Sequence, residues 1–188
     1  MVGVNIPLSI LDAAFVEGES PRVPKGVFPM PLPRRLSSIC TAALNCVAAL
    51  VSRQGAGILQ LPVVYASRYG ELERTHALFE EWKEYGEMSP AGFSISVHNA
   101  TASLLGLASH NQNNSTTLAA GQQTIGMGLL EAAMFSRESG TPCLMVYADG
   151  HPDLKAAALL VQHGDDKSIP LPSSFTGLIE LWNTSCHE

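Results

Sequence analysis

From Leu36 to Val51 apolar residues recur at helical spacing, through Ile39, Cys40, Ala43, Leu44, Val47 and Leu50. That spacing predicts a helix beginning near Arg34 with one buried face, closed by Gly55 and Gly57. The run Ile58 to Ala66 ends in a β-branched apolar stretch that predicts a buried strand, and Ser67-Arg68-Tyr69-Gly70 reads as the turn after it. An acidic amphipathic helix follows over about Glu71 to Tyr85, and Ser89-Pro90 punctuates it. Phe93 to Val97 leads into a helix that starts at Asn99 and runs to about Ser109. Ser115 to Ala119 is a short strand, Ile125 to Phe135 a helix, Cys143 to Ala148 a central strand and Ala156 to Val161 a further strand. Gly177 to Trp182 forms a terminal segment. Residues 18 to 33 are rich in Gly and Pro, and Pro29, Pro31 and Pro33 make them an extended lead-in without regular structure. Strands alternating with helices imply an α/β fold with a mostly parallel sheet covered by helices on both faces.

The length of 188 residues and a hydrophobic content of 46% fit one domain spanning residues 1–188. A net charge of −6 with only 11 Lys and Arg leaves no basic surface for a phosphate backbone, so nucleic acid is not an expected partner. The first fifteen residues lack a basic n-region and are interrupted by Asn5, Pro7 and Asp12. Neither a signal peptide nor a membrane span reads there, and a cytoplasmic protein is expected. Cys40, Cys46, Cys143 and Cys186 have no CxxC spacing and sit mostly in apolar runs, which fits reduced core thiols better than disulfides or a metal site. No cofactor is expected either. Gly126-Met127-Gly128 lacks the third glycine of a dinucleotide loop and reads as close helix packing.

The most specific stretch is Val97 to Ala132, in which Asn99 opens a helix, Asn113-Asn114-Ser115 forms a turn, and Ala119-Ala120-Gly121-Gln122 ends a short strand. It resembles the segment of β-ketoacyl synthases that runs from an Asn through a Gly-Pro-Ser-like turn to the catalytic Cys. Gln122, 23 residues beyond Asn99, then stands at the nucleophile position. A Gln amide is neither ionisable nor usefully nucleophilic, so it cannot carry an acyl chain. Together with PMPLPRRLS, VVYASRYGEL, FSISVHNATASLL and LAAGQQTIGMGLLEA, the pattern resembles the short chain length factors of aryl polyene gene clusters.

That resemblance implies a thiolase-like fold, the N-terminal half of a ketosynthase, with no catalytic residue of its own. It implies a full-length ketosynthase as partner, an acyl carrier protein reached through the complex, and a role in shaping the acyl tunnel. Leu72, Thr75, His76 and Phe79, spaced to share one helix face, would line that tunnel with Tyr69 at its mouth. Phe93, Val97, His98, Asn99, Thr101 and the strand Thr116, Thr117, Leu118 and Ala119 would meet the partner. A working ketosynthase also takes two His from a second half, and this chain stops where the first half stops; His98, His110, His151 and His163 match no such motif and read as ordinary polar residues.

Other readings stay open. Leu72 and Phe79 fit core packing as well as a tunnel. A thiolase-like or hydrolytic acyl transferase would use Ser96, Ser115 or Cys143, although no GxSxG elbow is present and Asp149-Gly150 reads as a turn. A structural adaptor that only stabilises a ketosynthase is the third reading. Arg34-Arg35 suits a helix-start surface better than a phosphopantetheine site, and Trp82 and Trp182 suit packing better than ligand stacking.

Overall fold

A computed structural model describes residues 5–185, and the side chains of residues 165–167 and 185 are left aside. One five-stranded sheet forms the centre. Its strands are β1 (Asn5–Glu17), β2 (Val63–Ala66), β3 (Ser115–Leu118), β4 (Cys143–Asp149) and β5 (Lys155–Pro170), in the order β1-β5-β4-β2-β3. β2 pairs parallel with β4 and with β3, whereas β5 runs antiparallel to both β1 and β4. Four strands therefore point one way and β5 alone is reversed, so the mostly parallel expectation holds for direction. The antiparallel pairings arise because β4 returns directly into β5 without a crossover helix.

Strict alternation along the central strands feeds two cores. Val63 and Tyr65, Leu144, Val146 and Ala148, and Ala156, Ala158 and Leu160 pack on one face, while Val64, Ala66, Met145, Tyr147, Leu159 and Val161 pack on the other. Helix α1 (Ser38–Gln54) covers the first face together with α4 (Ala100–Ser109). Helices α5 (Thr124–Ser139) and α6 (Phe175–Ser185) cover the second. Helix α2 (Leu72–Tyr85) and the short α3 (Pro90–Ser94) lie beyond the sheet, and α2 buries only Leu78.

The helix expected near Arg34 starts at Ser38, because the Ser37 hydroxyl caps it by accepting from the Cys40 N–H at 3.1 Å. Gly55 ends it at φ 84°, as its position suggested. Residues 56–60 wind as a 3-10 turn, so β2 is shorter than the apolar run Ile58 to Ala66. The terminal segment at 177–182 is part of α6. Strand β1 has no counterpart among the elements expected from the sequence, although Ile6, Leu8 and Ile10 alternate inward as a strand requires. A register shift between Ile10 and Asp12 then changes the phase: Ala13 rejoins the face of Ile10, and Asp12 turns toward α1, where Arg53 holds it at 2.8 Å. Cys40, Cys46 and Cys143 are buried and free, and Cys186 lies outside the described residues.

Candidate functional site

The loop that follows β2 is held by one carboxylate. Asp149, buried at the end of β4, accepts from the Ser67 hydroxyl at 2.7 Å and from the backbone N–H groups of Arg68 at 3.0 Å and Tyr69 at 2.9 Å. Ser67 Oγ in turn accepts from the Gly70 N–H at 2.8 Å. His98 Nε2 sits 2.7 Å from the Ser67 carbonyl, which can only accept, so the ring donates from that nitrogen. Gly70, at φ 55°, lies so close to His98 that an added Cβ would stand 2.8 Å from its Cδ2. The turn thus presents Tyr69 in a fixed position, with Arg68 over its ring at 4.9 Å and His151 edge-on at 5.3 Å. A reading of Asp149-Gly150 as a plain turn missed this clamp, since the partner residues lie about eighty positions away in sequence.

Tyr69, Leu72 and His76 line a cavity of about 710 Å³ together with Ser37, Ile39 and Gly150. Two of the proposed tunnel residues do not join them. Thr75 turns inward, its hydroxyl 3.0 Å from the Glu71 carbonyl and 3.2 Å from that of Ser96, and Phe79 lies further along α2 with 53% of its surface exposed. Neither Leu72 nor Phe79 is core, so the packing alternative is overturned for both. Glu71, just before α2, is buried beside this cavity; burial pushes its carboxyl above the usual range, against the opposing pull of the Ser37 hydroxyl at 2.7 Å and of Arg74.

Gln122 sits in a 3-10 turn, Gly121–Gln123, where Gly121 takes φ 57°. Thr124 Oγ1 closes this turn by accepting from the Ala120 N–H at 3.0 Å and donating to the Gly121 carbonyl at 2.8 Å. Gln122 is exposed and lines a polar cavity of about 270 Å³ with Arg68, Tyr69, His151 and Lys155. Helix α5 then drops onto the sheet at Gly128, where a Cβ would meet Met145 Cε at 2.6 Å and Ala66 Cβ at 2.9 Å.

Strand β3 forms a sheet edge and, among the described residues, pairs only with β2, so Thr116, Thr117 and Leu118 carry an open ladder, with Ala119 exposed just beyond. Phe93 and Val97 are exposed, as is Asn99 at the start of α4. Two expected contact residues face the other way. Thr101 is 2% exposed within the chain's own core, and His98 spends its ring on the Ser67 carbonyl.

The alternative nucleophiles fare poorly. Burial pushes the Cys143 thiol up to about 12, and its Sγ donates to the Pro62 carbonyl. Ser96 Oγ donates to the Phe93 carbonyl rather than to a base. The Ser67–Asp149 pair has no His between its members, so it is a clamp and not a proton relay. Among the described residues no group of three or more His, Cys, Asp or Glu could hold a metal ion, and no helix is long and apolar enough to cross a membrane.

The sheet is covered by helices on both faces, and its edge strand β3 leads through a tight turn into α5, an arrangement compatible with a thiolase-like fold. The chain belongs to the β-ketoacyl synthase N-terminal domain family, which it matches over residues 12–164. Among solved structures it is similar to one described as a ketosynthase (ApeO) in complex with its chain length factor (ApeC) from Xenorhabdus doucetiae, with a TM-score of 0.74 and 24% identity. The likeness covers 97% of this chain and 93% of the other, and at that identity it speaks for the fold. No curated protein matches the sequence.

Proposed function

We propose that this chain is a non-catalytic, chain-length-factor-type subunit that pairs with a complete ketosynthase and shapes the tunnel for a growing acyl chain. The observation that carries the reading is Gln122 in the turn between β3 and α5, the position that by sequence resemblance corresponds to the nucleophile of β-ketoacyl synthases. Its amide offers no thiolate, and Cys143, at the other end of the sheet, is buried with its thiol pushed up. The open edge of β3 and the exposed side chains of Phe93 and Val97 supply a surface for the ketosynthase. Tyr69, Leu72 and His76 on the large cavity, with Phe79 beyond them on α2, supply the tunnel wall. The substrate is an acyl chain on a carrier protein bound by the complex, of the aryl polyene kind by sequence resemblance, and the setting is cytoplasmic.

Co-expression with a complete ketosynthase of the same kind tests pairing. Stoichiometric co-purification is the expected outcome, and separate elution of two folded proteins overturns the reading. Incubation of the isolated chain with a reactive acyl thioester tests the acyl-transferase alternative: intact mass should not change, and a stable acyl adduct would reverse the assignment.

A further inference from the structure

Among the described residues, two line both the cavity of about 710 Å³ and the polar cavity of about 270 Å³ beside Gln122: Tyr69 and His151. Their rings meet edge to face at 5.3 Å and 81°, so the pair is the wall between the two spaces. Both rings are carried by backbone with little freedom. Asp149 accepts from the Tyr69 N–H at 2.9 Å, and His151 follows two residues later in the same turn. Gly150, between them, runs so close to α1 that an added Cβ would stand 3.0 Å from Ile39 Cγ2, which leaves the turn little room to swing His151 away. Arg68, from the lining of the smaller cavity, stands over the Tyr69 ring at 4.9 Å.

The two sides of this wall differ in chemistry. The large cavity offers a methylene chain Ile39, Leu72 and Ala77, beside Glu73 and the paired Glu71 and Arg74. The small one presents Arg68, Lys155, Asp149 and Asp153, and a chain pushed into it would strip water from charged groups without replacing their contacts. We propose that His151 is a chain-length determinant: with Tyr69 it forms the end wall of the acyl cavity and keeps the growing chain out of the polar pocket at Gln122. The inference rests on the tunnel-shaping role proposed above and adds to it a residue outside α2. Because two rings make one wall, trimming either opens it, and bulk added at His151 takes space from the chain.

The test is mass spectrometry of carrier-bound products from the chain reconstituted with a complete ketosynthase, after co-purification of each variant has been scored. His151→Ala should lengthen the products by at least one extension cycle, and His151→Trp should shorten them. His151→Phe keeps a ring against Tyr69 and should keep the wild-type length. The Tyr69→Ala/His151→Ala double variant should lengthen no more than the stronger single one, since either opening breaches the same wall. His151 is exposed, so His151→Ala should leave the melting temperature of the isolated chain in place. Unchanged product length for both His151→Ala and His151→Trp in stable, active complexes would overturn the proposal while leaving the partner reading intact. So would lengthening by His151→Phe equal to that of His151→Ala, or additive lengthening in the double variant. A wild-type chain that does not co-purify removes the partner reading and this one with it, and that failure is visible before any product is measured.

Discussion

Asp149 holds three donors with one carboxylate, and all of them belong to the loop that carries Tyr69. Replacing it by Ala leaves buried donors unmet and should destabilise the protein by about 3 kcal/mol, since hydrogen bonds to charged groups are among the stronger ones. Asp149→Asn keeps one acceptor but sets an amide N–H against the loop, and about 2 kcal/mol is expected. Urea unfolding checks both, and a loss below about 0.5 kcal/mol for the Ala variant would show that water replaces the carboxylate without cost. Gly128 depends on the opposite circumstance, an absence of atoms. Met145 Cε can swing aside from an added methyl, but Ala66 Cβ cannot, so Gly128→Ala should cost about 1–3 kcal/mol by the same measurement. At Gln122, by contrast, the side chain is exposed and substitution meets no packing limit. Gln122→Cys should fold normally and still show no condensation when isolated, because none of His98, His110, His151 and His163 matches the His pair that a working ketosynthase uses; robust turnover would show that this pair is not limiting.

Strand β1 shows how one inserted residue redirects an element. The shift at Leu11 brings Asp12 over α1, where Arg53 and Gln54 bind it; burial raises its carboxyl, but those hydrogen bonds outweigh burial and leave it below the ordinary range. A depressed carboxylate stabilises the fold fully above its unfolded value, about 3.9, and the contribution is lost as pH falls through the lower folded value. Wild-type protein should therefore lose stability below about pH 4 more steeply than Asp12→Asn. Because Arg53 is nearly half exposed, solvent screening limits the neutral-pH difference to about 1 kcal/mol, and parallel acid titration curves would show that the pair contributes nothing. Elements were legible in the sequence where periodicity was long or a terminating glycine was present: α1, α2, α5 and β4 lie close to where spacing and Gly55 put them, although the cap at Ser37 starts α1 four residues later than expected. β1 was not, because Pro7, Asp12 and the added residue at Leu11 break an alternation that only pairing with β5 completes. The clamp of Asp149 and the inward turn of Thr101 were hidden for the same reason, since both depend on which strands become neighbours.

At the scale of the whole molecule, the uncovered surfaces among the described residues include the open edge of β3 and exposed apolar side chains on α2, α3 and α4. Helix α2 is the informative one, for it buries only Leu78 yet exposes Leu72, Phe79 and Trp82 in a chain otherwise packed on both sides of its sheet. Large apolar side chains left in water along one helix, with Leu72 at a cavity and Phe79 and Trp82 beyond it, are the kind of surface that a partner covers. If that body is a ketosynthase, Tyr69 and Phe79 bound the space left for the acyl chain at different depths: Tyr69 is fixed by the Asp149 clamp at the cavity, and Phe79 lies two helical turns beyond Leu72. Removing either ring opens room that a chain can fill, since overlap of even a methylene or two in a packed cavity costs on the order of 1–3 kcal/mol. Phe79→Ala and Tyr69→Ala, made separately, should each lengthen carrier-bound products of the reconstituted pair by at least one extension cycle. Because Phe79 is exposed in the isolated chain, its truncation should leave the melting temperature of that chain unchanged, which separates a tunnel role from a folding one. Mass spectrometry of the products decides the matter, and an unchanged length distribution in stable, active complexes of both variants would remove α2 from the tunnel.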